Sequence, residues 1–188
     1  MMKSEQEYYI SLIERLRQLA NTETEWLEYK ENNCDPQLMG EYISALSNSA
    51  TICNKEKAYM LWGINDETHE IEGTTFSPKK MKRGNQEIEN WLAGSLKPRV
   101  DFKFVEVFTD KGKVVVLEIP SAVNTPTSFK GTEFIRMGSY KKKLKEFPEK
   151  ERKLWLAFEQ KPFELRTAIE NVSESKVTEL LDCAAYYT

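Results

Sequence analysis

Histidine and cysteine are scarce in this sequence, and their scarcity excludes several kinds of site. His69 is the only histidine, and with no second one to join it we interpret it as an exposed turn residue rather than a catalytic base. The cysteines, Cys34, Cys53 and Cys183, are odd in number and form no Cys-x-x-Cys pair. This pattern argues against both a disulfide framework and a zinc site. A reducing cytoplasm is the compartment that we expect.

Glycine motifs that bind nucleotides are absent too. The eight glycines are scattered, and neither Gly-x-x-x-x-Gly-Lys-Ser/Thr nor Gly-x-Gly-x-x-Gly occurs. We find no residues that would bind ATP and expect no role for it. A serine hydrolase is equally unsupported, because Gly-x-Ser-x-Gly is missing.

Long apolar runs and an excess of positive charge are also missing. No apolar run approaches the roughly 20 residues of a membrane-spanning helix, so we expect no membrane partner. The net charge of −3 gives no general attraction to nucleic acid and leaves such binding to local basic patches. With 40% hydrophobic and 30% charged residues in a chain of 188, the composition is that of one ordinary globular domain.

The pattern of apolar residues predicts helices and strands that first alternate. Helices are predicted over 5–20, from Pro36, over 88–96, after 147 and from about Ser173, and strands over 25–30, 58–64, 102–108, 113–119 and 133–137. Asp35 before Pro36 is typical of a helix start. The face around Ser44 and Asn48 of that helix is small and polar, which allows close approach of backbone or ligand. We expect an α/β or α+β layer structure with flanking helices and a mixed β-sheet of about five to six strands.

The segment 23–30 (ETEWLEYK) places charged residues on a stretch with strand character. Strand side chains alternate between two faces, so Glu28 and Lys30 share one face. They would stand about 7 Å apart along it, from a rise of roughly 3.3 Å per residue. Glu23 can join them only if the chain bends near 21–24. The alternative is a solvated strand face with a charge pair.

An acidic residue and two basic clusters complete the candidate site residues. Asp66 directly follows the buried strand 58–64, where an acid often lines a cleft, although Asn65-Asp66 is equally typical of a plain turn. The basic residues, which we expect to flank one groove and bind nucleic acid, are Lys79, Lys80, Lys82 and Arg83, and then Arg136, Lys141, Lys142 and Lys143. Lysine runs that are merely solvated are the alternative.

The order of several short motifs resembles the Schlafen AlbA-like domain family. The motifs are Glu23 with LEYK at 27–30, ISALSN at 43–48, LWGIND at 61–66, Lys97-Pro98, and FIRMGS at 134–139, and together they cover about 20–145. The resemblance implies an α/β nucleic-acid-binding domain, for DNA or RNA, of the kind described in bacterial transcriptional regulators. It divides the chain into an N-terminal helix (1–22), the domain itself (23–146) and C-terminal helices (147–188), which we expect to lead into a further region.

In the Schlafen branch, the same resemblance implies a metal-dependent ribonuclease that uses three carboxylates, here Glu23, Glu28 and Asp66 by position. The sequence departs from the family at 49–57, where a Thr-x-Gly-Gly turn is usual and no glycine pair occurs. The family is also labelled divergent AAA, which implies ATP, but the absent motifs argue against that.

The chemistry of three clustered acids can be argued on its own. Carboxylates suit Mg²⁺ or Mn²⁺, which activates water and neutralises phosphate charge, and Lys30 would stabilise the same charge. Without a metal such acids repel a phosphate backbone, so a nuclease needs them and a binding module does not. We place nucleic-acid binding first and a metal-dependent endoribonuclease second. A protein-interaction or dimerisation domain, with homo-oligomer formation, is the third hypothesis.

Overall fold

A computed structural model describes residues 3–19 and 24–159. The helices are α1 (Lys3–Leu19), α2 (Pro36–Ile52), α3 (Ile88–Ser95) and α4 (Pro148–Glu159). The strands are β1 (Leu27–Lys30), β2 (Lys57–Trp62), β3 (Lys82–Arg83), β4 (Gln86–Glu87), β5 (Leu96–Lys97), β6 (Lys103–Thr109), β7 (Gly112–Pro120), β8 (Ser128–Phe129), β9 (Thr132–Met137) and β10 (Tyr140–Lys143). Glu23, Cys183 and the helix predicted from about Ser173 lie outside the described residues. Within those residues, no helix has the length and apolar character needed to cross a bilayer.

The main sheet has four strands in the order β1-β2-β7-β6. β1 runs parallel to β2, and the other pairs are antiparallel. β2 lies centrally because its residues are apolar on both faces, and the register sets Glu28 beside Met60. Asp110-Lys111-Gly112 is a turn signal between the predicted strands 102–108 and 113–119, and it lies at the bend of the β6–β7 hairpin. The two alternating faces of β7 then supply two separate hydrophobic cores, one packed by α1 and one by α2.

A second, antiparallel sheet has the order β10-β9-β8-β5, and β3 and β4 form a separate two-stranded ribbon. The expected α+β class is therefore confirmed, but the strands do not join one sheet of five to six strands. The sequence does not predict the strands β3, β4, β5 and β8, because each is only two residues long. It does not predict β10 (YKKK) either, because that strand has no alternation of apolar residues.

Helix α2 is the central element, because it packs on the main sheet with its apolar face and on the second sheet with its polar face. Asp35 caps its start, and the Leu38 amide donates to the Asp35 carboxylate at 2.8 Å. On the polar face, the Ser44 hydroxyl donates to the Thr127 carbonyl (2.6 Å), and the Arg136 amide donates to the Ser49 hydroxyl (3.0 Å). The small polar face is thus used for close approach of backbone.

Asn48 makes the densest of these contacts, and its loss is expected to be costly. Its amide nitrogen donates to the carbonyls of Thr127 and Phe134, both at 2.9 Å, and its oxygen accepts from the Thr127 amide at 2.7 Å. Asn48→Ala leaves these buried groups unpaired and should lower the free energy of unfolding by about 3 kcal/mol. Urea denaturation checks this, with Asn90→Ala on the exposed surface of α3 as the control. Equal stability of the two variants would contradict the prediction.

Candidate functional site

Glu28 lies at the centre of a compact charged cluster. β1 turns this side chain toward α2, where it is 7% exposed. One carboxylate oxygen contacts the Lys30 ammonium at 2.7 Å, and the other contacts the Arg136 guanidinium at 2.5 Å. Arg136 and Glu28 form an ion pair, but the angles at the Arg136 nitrogen are not those of a hydrogen bond. As the strand alternation predicts, Glu28 and Lys30 share one face, but the carboxylate is buried between two cations instead of solvated.

Lys30 also connects Glu28 to Asp66, which lies just after β2. The ammonium is 3.5 Å from the Asp66 carboxylate, whose side chain is 54% exposed. Both Lys30 and Asp66 line an open cleft of about 650 Å³, together with polar residues of 31–33 and 65–67. Asn65 shapes the turn by accepting hydrogen bonds from the backbone amides of Glu67 and Thr68. Asn65 thus forms the turn, and Asp66 lines the cleft.

The electrostatics of the cluster keep Lys30 charged. Burial alone would lower the pKa of this ammonium, but the Glu28 carboxylate and, to a lesser degree, Asp66 outweigh it and raise the pKa of Lys30 above its usual value. Three cations surround the ring of Tyr42 on α2, with Lys30 and Arg136 each 5.6 Å from the centroid and Lys141 at 4.9 Å. Burial, and next the Glu28 carboxylate, raise the pKa of the Tyr42 hydroxyl.

The described carboxylates do not by themselves form a metal site. Among residues 3–19 and 24–159, no three His, Cys, Asp or Glu side chains are arranged to hold a metal ion. The Lys30 ammonium lies between the two acids, 2.7 Å from a carboxylate oxygen of Glu28 and 3.5 Å from a carboxylate oxygen of Asp66. A divalent ion shared by these two acids would take the place of that ammonium and does not fit unless Lys30 moves. Convergence of all three acids stays a prediction, because Glu23 is not described.

The predicted basic residues separate into exposed and internally paired ones. Six of them are exposed and form no ion pair with any described residue, namely Lys79, Lys80, Lys82, Arg83, Lys142 and Lys143. Arg136 is only 3% exposed and pairs with Glu28, and Lys141 pairs with Glu41. Arg136 therefore lies in strand β9 as a buried partner of the acid, and in this structure it does not present its charge to a phosphate on the surface.

The two basic clusters are connected through residues that the sequence interpretation did not select. The Arg83 guanidinium lies over the Trp91 ring of α3, 4.0 Å from the centroid, and the Lys130 ammonium lies 4.9 Å from the same centroid. Lys130 occupies the two-residue turn between β8 and β9 with Gly131. The sequence signal for this turn is Phe-Lys-Gly-Thr at 129–132, with the glycine that such hairpins favour.

From Lys130 the polar contacts continue along α2 to the second cluster. The Lys130 ammonium donates to the side-chain oxygen Oε1 of Gln37 at 2.8 Å, and the side-chain nitrogen Nε2 of Gln37 donates to the Glu41 carboxylate at 2.9 Å. Glu41 in turn holds Lys141 of β10. We call this series, with the six exposed basic residues, the basic surface. These contacts link Arg83 of the first cluster to Lys141 of the second beside the first half of α2. Lys79 lines a different cleft, with Glu5 of α1 and Glu106 of β6. That the two clusters flank one groove stays a prediction.

Comparisons with known proteins add the family. The crystal structure of the DIP2311 protein from Corynebacterium diphtheriae is similar to this chain at 14% identity, with a TM-score of 0.43. The match covers 64% of this chain and only 25% of that protein. No curated protein matched the sequence. The family model described as Schlafen, AlbA_2 matches residues 23–145, which include β1, Asp66, the β3–β4 ribbon and β10. Since the matched region is most of the chain and carries every motif quoted above, the chain belongs to the Schlafen AlbA_2 family.

Proposed function

We propose that this chain is a nucleic-acid-binding domain of a transcriptional regulator, and that the basic surface is where it contacts the phosphate backbone. The observation that carries the proposal is that six exposed basic residues form no ion pair with any described residue. The other basic side chains that we singled out, Arg136 and Lys141, are already paired with glutamates. Family membership supports a nucleic-acid-related role.

Local charge rather than net charge governs this kind of binding. The chain as a whole carries −3. Each lysine that neutralises a phosphate releases condensed counterions, so the affinity falls with salt by a slope close to one per contact. Because these contacts are made to the backbone, binding through the basic surface should depend little on base sequence.

Two double variants test the proposal, one on each part of the basic surface. Lys80→Gln with Lys82→Gln, and Lys142→Gln with Lys143→Gln, should each weaken binding to RNA and DNA and lower the salt slope by up to about two units. The measurement is fluorescence anisotropy titration at several salt concentrations. The control is Lys103→Gln with Lys111→Gln, which removes the same charge from exposed lysines paired with Glu5 and Glu70. If the control weakens binding equally, local phosphate contacts are not the cause and the proposal fails.

A second candidate function is a metal-dependent endoribonuclease. The observation that favours it is the contact of Lys30 with both Glu28 and Asp66 beside an open polar cleft. In this proposal Glu23, Glu28 and Asp66 would hold Mg²⁺ or Mn²⁺ once Lys30 moves aside. The metal would supply an activated water and a positive charge for the phosphate. Lys30, freed from its carboxylates, would remain near the developing charge.

A further inference from the structure

Trp91 occupies an unusual position on the basic surface. α3 holds it half-buried, with its neighbours Ile88 and Leu92 in the core, and its ring meets the edge of Phe129 at 5.7 Å. The Arg83 guanidinium lies 4.0 Å from the ring centroid and the Lys130 ammonium 4.9 Å from it. One aromatic side chain therefore contacts two cations from two different hairpins, β3–β4 and β8–β9.

Neither cation is neutralised by a carboxylate among the described residues. Arg83 has no ion pair there, and the Lys130 ammonium donates to Gln37, whose amide oxygen is uncharged. A cation–π contact at an exposed site stabilises a protein by only about 0.5–1 kcal/mol. The two positive charges are thus held beside the indole by weak contacts, and they remain free to attract phosphates.

The surroundings of the indole are open at two nearby glycines, Gly84 and Gly94. All residues of the β3–β4 ribbon are exposed, and its turn residue Gly84 has no atom within 4 Å of where a side chain would begin. Arg83 can therefore leave the ring without unpacking the core. Gly94, one helical turn after Trp91, likewise has open space where its side chain would be.

We infer that Trp91 stacks an unpaired nucleobase, while Arg83 and Lys130 hold the phosphates on either side of that nucleotide. The inference rests on the proposed binding function and names its ligand class, nucleic acid with unpaired bases. The planar guanidinium of Arg83, 4.0 Å from the ring centroid, lies over the ring at the distance at which a base would stack. Bases within a duplex are stacked on each other and present no free face, whereas single strands and loops do.

The test uses the full chain, a short single-stranded oligonucleotide and a blunt duplex of the same sequence, each as RNA and as DNA. Trp91→Leu should weaken single-strand binding by about tenfold and duplex binding by less than about twofold. Trp91→Phe keeps an aromatic face and should retain most of the single-strand affinity. Thermal unfolding followed by circular dichroism checks the fold of both variants.

The outcomes separate this inference from the proposed function. Equal losses for single strand and duplex, or full affinity in Trp91→Leu, overturn the stacking role while the lysine double variants can still support phosphate binding. If Trp91→Leu does not fold, quenching of tryptophan fluorescence by the single strand decides, with Trp91→Phe identifying the Trp91 signal. Quenching in wild type that is lost in Trp91→Phe supports stacking, and quenching of equal size in both overturns it. If wild type binds none of the probes, both proposals fail.

Discussion

Asp66→Asn is expected to lower metal-dependent cleavage of a structured RNA by at least about a hundredfold, if the domain is a nuclease. A positioned metal with its activated water contributes several kcal/mol to the barrier, and about 1.4 kcal/mol corresponds to tenfold in rate. Asp66 is the better position for this test than Glu28, because its side chain is 54% exposed and its replacement breaks only a 3.5 Å contact with Lys30. The fold should therefore be unaffected, so a loss of cleavage would report on chemistry.

The measurement is incubation of wild type and variant with tRNA, and separately with a DNA hairpin, in Mg²⁺, Mn²⁺ and EDTA. Glu67→Gln is the matched control, because Glu67 is exposed, lines the same cleft and does not contact Lys30. Binding should persist in Asp66→Asn, since removing a negative charge reduces repulsion of phosphate. If wild type cuts neither substrate in either metal, or if Asp66→Asn cuts as fast as wild type, the nuclease candidate is excluded and nucleic-acid binding remains.

Arg136→Met is expected to lower the free energy of unfolding by about 3 kcal/mol. The side chain is 3% exposed and contacts the buried Glu28 carboxylate at 2.5 Å. Removing one partner of a buried ion pair leaves the other charge without compensation, which costs roughly 3–5 kcal/mol. We expect the lower value because Lys30 still contacts the other oxygen of Glu28 at 2.7 Å.

Urea denaturation of the single and double variants measures this effect. Glu28→Gln combined with Arg136→Met should recover much of the lost stability, because a buried pair replaced on both sides leaves no isolated charge. Arg99→Met makes the same chemical change in an exposed pair, where Arg99 meets Asp101 at 3.6 Å, and should alter stability little. A double variant no more stable than Arg136→Met would show that Arg136 acts through packing instead of through its charge.

Local features of the sequence determined the elements that depend on near neighbours. Strand alternation in LEYK sets Glu28 and Lys30 on one face, and the pair meets at 2.7 Å. Asp35 with Pro36 predicts the start of α2, and the Asp-Lys-Gly turn predicts the β6–β7 hairpin. These features need only a few consecutive residues, because capping, turn geometry and the period of a strand are local properties of the chain.

Partners that are distant in sequence were decided only by the tertiary structure. Arg136 and Lys141 belong to a basic stretch, yet each pairs with a glutamate about 100 residues away, because α2 and β1 pack beside β9 and β10. Contacts of α3 with the β3–β4 ribbon and with the β8–β9 turn bring Arg83 and Lys130 to Trp91. A charged side chain looks the same in sequence whether it is solvated or buried against an acid. Its availability to a ligand is set by which helix covers it, and no local pattern encodes that choice.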